Sequence, residues 1–428
     1  MNSHFTTFQS WTNGRLVKVI GTNHGSSNLP FQGWRTFKEA FAPELIEMAV
    51  SETSAARGEP VRHLVDPFGG SGTSALAAQF LGVMPTTIEV NPYLSDLIET
   101  KIARYDLDAV SHAFGQICSD VAEAKPVQTP LPGMPDTFVE PGRAGRYIFS
   151  REVAQRLHAY VAAISNLENS EAQRLFKVLL AGILLQVSNV VVSGKGRRYR
   201  RGGVNKSASA ASVDGLFSEK VVSALFDLKR FENRMQRDYR VLRGDARVRL
   251  GECAEAQLAV FSPPYPNSFD YTDVYNLELW VLGYLTTPEA NRSLRESTIR
   301  SHVQIKRDMT SSVSNTTLAD IVARLTSNRK QLWNRDIPEM VSAYFDDMVA
   351  IMTALHNLLA TSGRIYMVVG DSRYAGIDIP VAQILCELGP TIGLDVLYSN
   401  PFRSMRASPQ QGGRPELPET LIALKKSS

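Results

Sequence analysis

Two short stretches fix where two strands of this chain must end. Asp66-Pro67-Phe68-Gly69-Gly70-Ser71-Gly72-Thr73 follows the apolar run His63-Leu64-Val65, and Ser262-Pro263-Pro264-Tyr265 follows Leu258-Ala259-Val260-Phe261. Short apolar runs bounded by turn residues read as buried parallel strands. Both motifs therefore stand at strand ends, the edge where an open α/β sheet binds ligands. One edge can hold two reactants.

Around these anchors, apolar residues at Phe37, Phe41, Leu45, Ile46 and Ala49 predict an amphipathic helix over 34–50, with Pro43 dividing it or marking a helix start. A strand over 63–66, the glycine turn, a helix from Ser74 to Leu81 and a strand at Thr87-Ile88-Glu89 make one βαβ unit. Later strands are read at Val241 to Asp245, at 258–262 and from Arg364 to Gly370. Val396-Leu397-Tyr398 and Glu419 to Leu424 form a final antiparallel pair, joined by the Gly/Pro/Arg-rich stretch from Pro401 to Pro418. About 140 residues, helical in period over 151–192 and 216–237, separate the second and third strands, which exceeds a crossover helix. A second helical block runs from Val274 to Leu359. The expected division is a discontinuous catalytic domain of 1–100 and 241–428, a helical insertion of 101–240 and a further helical block of 276–360. Asn205 to Val213 is small and polar and is expected to be mobile.

Forty-six Lys and Arg against 43 Asp and Glu leave a net charge of +3, so any nucleic-acid surface must be a local patch. From Ser193 to Val213 there are six cations, Lys195, Arg197, Arg198, Arg200, Arg201 and Lys206, with Tyr199 among them and no acid. Such a glycine-flanked loop suits phosphate contact. Arg403, Arg406 and Arg414 offer a second contact, and the two helical blocks are the candidates for reading bases. No stretch approaches the roughly 20 apolar residues that span a bilayer. The start Met1-Asn2-Ser3-His4 lacks an export signature, so a cytoplasmic location without membrane contact is expected. Cys118, Cys253 and Cys386 form no C-x-x-C pair, so they suggest neither a disulfide framework nor a zinc site and read as small buried residues.

Gly69, Gly70 and Gly72 let the backbone turn tightly against a ligand, while the next helix presents unpaired N–H groups. The turn lacks the phosphate-loop pattern and departs from G-x-G-x-x-G spacing. Glu89, 16 positions beyond Thr73, can accept from two ribose hydroxyls, and Asp245 can receive an adenine amine. In Ser262-Pro263-Pro264-Tyr265 the prolines remove two donors, leaving carbonyls and the Ser262 hydroxyl to point outward. A planar amine suits it: its N–H groups reach the Ser262 hydroxyl and the Pro263 carbonyl while Tyr265 stacks on the ring. Asn267, Phe269, Asp270, Tyr271 and Tyr275 add groups that can line the same pocket.

These residues resemble the S-adenosylmethionine site of Rossmann-like methyltransferases. Asp66, Pro67, Phe68, Gly69, Gly70, Ser71, Gly72 and Thr73 look like the first motif of that family, and Glu89-Val90-Asn91-Pro92 looks like the second. Ser262-Pro263-Pro264-Tyr265 is similar to the [DNS]-P-P-[YFW] motif of prokaryotic DNA amino-methyltransferases. The resemblance spans roughly 60–100, 241–275 and 361–426, and Phe41 resembles the segment bordering the methionine end of the cofactor. It implies an α/β, Rossmann-like sheet with large helical insertions. It also implies S-adenosylmethionine as cofactor, bound by Phe41, the first motif, Glu89, Asn91 and Asp245. Its substrate would be double-stranded DNA with a flipped base, and a cognate restriction endonuclease would be its partner. In that family a leading Ser goes with cytosine N4 and Asp or Asn with adenine N6, so site-specific methylation of cytosine N4 is expected. Alternatives are adenine N6, a guanine or adenine amine in RNA, or a non-catalytic nucleic-acid-binding module. No Pro-Cys pair exists, which argues against C5 methylation through a covalent cysteine adduct.

Overall fold

Eleven strands lie among the described residues of the computed structural model, which are 6–17, 19–22, 25–35, 40–193, 196–200, 208–267, 269–406 and 416–427. They are β1 (His63–Asp66), β2 (Met84–Glu89), β3 (Val190–Ser193), β4 (Gly196–Tyr199), β5 (Arg240–Arg243), β6 (Ala256–Phe261), β7 (Leu359–Gly370), β8 (Ser372–Tyr374), β9 (Ile377–Ile379), β10 (Leu394–Arg406) and β11 (Glu416–Lys426). Seven form one sheet in the order β10-β11-β7-β6-β1-β2-β5. Strands β5, β2, β1, β6 and β7 run parallel, whereas β11 is antiparallel to both β7 and β10. The chain builds outward from β1 through β2 to β5, then returns to place β6 on the other side of β1. The strand order reverses there, so the crevice at the carboxyl ends of β1 and β6 is the binding position of such a sheet.

Alternation along the central strands explains why the sheet carries two layers. Leu64, Leu258, Val260, Tyr366, Val368, Leu421 and Ala423 belong to one apolar core, and their neighbours Val65, Ala259, Phe261, Met367, Val369, Ile422 and Leu424 to the other. Successive side chains of a strand point to opposite faces, so these are the two faces of one sheet. The first face is covered by the helices Glu44–Arg57, Thr73–Phe80 and Pro92–Ile102, and the helices Arg151–Ser165, Ser170–Ala181 and Ala210–Arg230 continue that core. The second face is covered by Thr316–Ser327, Ile337–Leu358 and Val381–Leu388. Much of the second oversized block is therefore sheet cover, whereas the helices of the first pack on Pro92–Ile102 and on one another. Helix Thr73–Phe80 is buried at every position because it lies inside the first layer, and Ala75, Ala77 and Ala78 let its neighbours approach.

Several boundaries differ from the sequence reading. Instead of starting at Trp34, the first long helix runs Glu44–Arg57 with Pro43 as its cap residue; Trp34 ends a 3-10 turn, and Phe37 lies outside the described residues. The stretch 151–192 ends in β3, which pairs with β4 as an antiparallel hairpin, because its Val190-Val191-Val192 run favours a strand. Ser209 to Val213 is ordered, with Ser209 and Ser212 forming a reciprocal cap at the start of Ala210–Arg230. Within 274–359 the helices are separate pieces, and 300–315 carries no regular element. The cysteines are not core residues. Cys118 is exposed because its helix, Leu107–Glu123, buries Val110, Ile117 and Val121 on the other side, and Cys253 and Cys386 are half-buried. Among the described residues no helix is long and apolar enough to cross a membrane.

Candidate functional site

At the carboxyl ends of β1, β2, β5 and β6 lies a cavity of about 330 Å³, lined by both motifs. Asp66, Pro67, Phe68, Gly69, Gly70, Ser71 and Thr73 form one wall with Glu89 and Asp245, and Ser262, Pro264 and Tyr265 form the other. Phe41 and Ala40, just before the first long helix, contribute from the side.

The glycine turn is held by its own acids. Asp66 accepts from the Phe68 N–H at 2.9 Å and from the Ser74 hydroxyl, which ties the end of β1 to the helix after it. The Gly69 N–H donates to the Ile88 carbonyl at 2.9 Å, and the Gly70 N–H donates to Glu89 Oε2 at 2.7 Å. Glu89 Oε1 accepts from the Asn91 N–H at 2.8 Å. The Glu89 oxygens thus hold backbone donors and keep acceptor capacity for a ligand. Gly72 sits at φ +77°, where a Cβ would also stand 3.1 Å from Ile98 Cγ1, so the turn requires glycine there. Burial pushes Asp66 up to about 6 and Glu89 up to about 7, the latter with the neighbouring Asp66 charge adding to the shift. Beneath the turn, the fully buried Lys101 donates from Nζ to the Ser71 carbonyl at 2.6 Å and to Gln32 Oε1 at 3.1 Å. Desolvation pushes its ammonium down to about 7.

Three residues read as cofactor contacts have structural work of their own. Asn91 is buried, caps the helix Pro92–Ile102 through the N–H groups of Tyr93 and Leu94, and is not among the cavity-lining residues. Gly72 likewise shapes the turn from behind and does not line the cavity. Asp245 lines it while capping the helix Ala246–Arg249, and the Arg247 guanidinium grips both its oxygens. Arg247 also pairs with Asp347 at 2.9 Å, so this corner is anchored to the helix Ile337–Leu358.

On the opposite wall the Ser262 hydroxyl is not free. It donates to the Val368 carbonyl at 3.0 Å, leaving its lone pairs for a ligand donor. Pro263 is buried and is not among the lining residues. Tyr265 Oη donates to Glu419 Oε1 at 2.6 Å, and Arg403 binds the other Glu419 oxygen across the β10–β11 pair. Burial and the Glu419 carboxylate hold the Tyr265 hydroxyl well above its ordinary range. Asn267, Phe269 and Tyr271 line the cavity. Asp270 and Tyr275 do not: Asp270 caps the helix Tyr271–Val274 and pairs with Arg295 at 2.5 Å, and Tyr275 is buried with Arg35 5.5 Å from its ring.

The sequence reading missed Glu419 as a lining residue, Lys101, and the segment Ser297 to His302, which supplies Ser297, Thr298, Ile299, Ser301 and His302 to the cavity. No motif marks that segment. Glu419 had one signal, as the acid opening the last apolar strand.

Of the six loop cations, Lys195, Arg201 and Lys206 lie outside the described residues. The other three lie on or beside the β3–β4 hairpin, which packs by β4 on the helix Tyr271–Val274, directly after the second motif. Arg197 lies 3.6 Å from Asp273 and over the Phe138 ring, and Arg200 donates to the Ser188 and Leu185 carbonyls. Arg198 is exposed. The basic loop is therefore partly a packing element, and its place is beside the cavity. Arg403 faces Glu419 in the cavity wall; the Arg406 side chain and Arg414 lie outside the described residues.

No family model matches the chain. It is similar to the type II methyltransferase M.BsoBI of Geobacillus stearothermophilus, 24% identical across 94% of this chain and 85% of that one. The type II methyltransferase M.AvaI of Nostoc sp. is 23% identical across 89% of this chain and 82% of its own. Among solved structures, the rRNA methyltransferase aviRa of Streptomyces viridochromogenes overlays 90% of this chain and 85% of its own at 10% identity and a TM-score of 0.30, a likeness too weak to argue from. The sheet order and the switch-point cavity make this an α/β, Rossmann-like fold with large helical additions.

Proposed function

We propose that the chain is a site-specific DNA methyltransferase that moves a methyl group from S-adenosylmethionine to the exocyclic amine of a flipped base, cytosine N4, in the cytoplasm. One observation carries the reading: the glycine turn on β1 and Ser262-Pro263-Pro264-Tyr265 on the adjacent parallel strand β6 face one cavity. Two reactants held there meet without diffusing, which is the main catalytic advantage available to a direct displacement. The similarity to two type II methyltransferases over most of both chains supports it.

The donor set fits the cofactor. Glu89 presents a buried carboxylate with acceptor capacity left for ribose hydroxyls, Asp245 presents a second acid to the adenine end, and Phe41 an apolar side. When bound, the cofactor supplies a sulfonium methyl. On the other wall the Ser262 hydroxyl, its proton committed to Val368, accepts from an amine N–H. Tyr265, pinned by Glu419, offers a fixed ring for base stacking. Acceptor oxygens around the amine also meet the positive charge that develops on nitrogen. The β3–β4 hairpin beside the cavity contributes phosphate contact through Arg198 and the neighbouring cations. A cognate restriction endonuclease as genetic partner belongs to the same reading.

The test is transfer of tritium from S-adenosylmethionine labelled in the methyl group to unmethylated bacterial DNA, with ribosomal and transfer RNA in parallel. Incorporation into DNA is expected. Binding of the cofactor without incorporation into DNA would overturn the proposal.

A further inference from the structure

His302 lines the cavity from the irregular segment after the helix Pro288–Glu296, yet is only 2% exposed. Its Nδ1 lies 3.4 Å from Arg307 Nη2. A guanidinium only donates, so Nδ1 must offer its lone pair and the neutral ring carries its proton on Nε2. Arg307 is itself fixed by the Thr298 and Ile299 carbonyls, each at 2.9 Å. The charged groups around the imidazole are Asp270, Arg295 and Arg307, and burial with the two guanidinium groups keeps the ring neutral. Nε2 has no hydrogen-bond partner, and the Asp270 Oδ2 at 3.9 Å is beyond hydrogen-bond reach. A buried N–H at a cavity wall without an acceptor calls for one from a ligand.

We propose that His302 reads the target base: its Nε2–H donates to the unprotonated ring nitrogen beside the exocyclic amine, N3 in cytosine. This rests on the amino-methyltransferase reading. The cofactor wall is built from the acids Asp66, Glu89 and Asp245, which take donors, whereas His302 gives one and borders Asp270, downstream of Ser262-Pro263-Pro264-Tyr265. An amine next to a bare ring nitrogen is an edge of cytosine, of adenine and, at N2 and N3, of guanine. Ser262 accepts from the amine and His302 donates to the nitrogen, so the pair recognises that edge. Thymine has no exocyclic amine and carries a proton on N3, so it would set donor against donor, which excludes it.

The test uses the full chain, tritium-labelled S-adenosylmethionine and duplex DNA methylated by the wild type. His302→Ala should lower kcat/KM for DNA by about 30-fold or more while cofactor Kd, by calorimetry, stays within about twofold; His302→Gln, whose amide donates, should recover most of the loss. A duplex with 3-deazacytosine at the methylated position, which replaces N3 by C–H, should cost the wild type a similar factor and cost His302→Ala nothing further. Wild-type indifference to the deaza base overturns the proposal without any variant. Full activity of His302→Ala, or a parallel loss of cofactor affinity in a variant with unchanged melting, also overturns it. A wild type that methylates no DNA overturns the functional reading itself, a distinct result.

Discussion

Tyr265 Oη donates to Glu419 Oε1 at 2.6 Å across 154 residues of sequence. The bond joins the loop after β6 to β11, two strands that β7 separates in the sheet, and Arg403 holds the other Glu419 oxygen. A ring proposed to stack on a transient base is thus fixed in advance. Tyr265→Phe keeps the ring and frees Glu419 to Arg403 alone, so turnover should fall modestly. Tyr265→Ala should lose stacking of about 1–3 kcal/mol and cut turnover strongly. Cofactor affinity should hold in both. Steady-state transfer assays with calorimetry check this, and a Tyr265→Ala variant with wild-type turnover would contradict it.

Glu89 should make cofactor binding pH-dependent. Burial pushes its carboxyl up to about 7, whereas ribose hydroxyls favour the charged form. Below about 7 a proton must leave before the cofactor is held, so affinity should strengthen as pH rises from about 6 to about 8. Asp66, pushed up to about 6, adds at the acid end only. Glu89→Gln should flatten the profile, and Glu89→Ala should weaken binding by about 1–3 kcal/mol. Calorimetry across that range decides, and a flat wild-type profile would contradict the assignment.

Lys101 gives the fold a pH dependence of its own. An unfolded lysine titrates near 10.4, while burial pushes Lys101 down to about 7. Between those values the unfolded chain binds a proton the folded chain has released, so this residue's contribution to stability rises with pH across the window. Compared by denaturant unfolding, wild type should gain on Lys101→Met between about pH 7 and pH 9. A constant difference would mean that the ammonium stays charged on the Ser71 carbonyl.

How much of this was legible beforehand follows from what each residue must touch. Asp66 to Thr73, Glu89 and Ser262 to Tyr265 announce themselves because a strand end with glycines or prolines has few other readings. The helices of 276–360 did not show as sheet cover. Their periodicity marks an apolar stripe without saying what it faces, and Leu64 and Val65 reveal two layers only once strands are paired. His302 and Lys101 carry no local pattern; burial alone makes them unusual. The basic loop was legible as charge, but not that Arg197 and Arg200 are partly spent on packing.

That division separates two arginines. Arg198 is exposed, so Arg198→Ala should lower the slope of log affinity for DNA against log salt by about 1 and leave melting unchanged. Arg200 donates to the Ser188 and Leu185 carbonyls, so Arg200→Ala should lower the melting temperature. Equal effects of the two variants on both readouts would contradict this.

The central claim is the atom that receives the methyl group. Unmethylated DNA treated with the protein and S-adenosylmethionine carrying a deuterated methyl group, then digested to nucleosides and analysed by mass spectrometry, reports it directly. The account predicts deuterated N4-methylcytosine. Deuterated N6-methyladenine in its place would contradict the base assigned to Ser262-Pro263-Pro264-Tyr265, and label found in C5-methylcytosine, only in RNA, or nowhere would contradict the account as a whole.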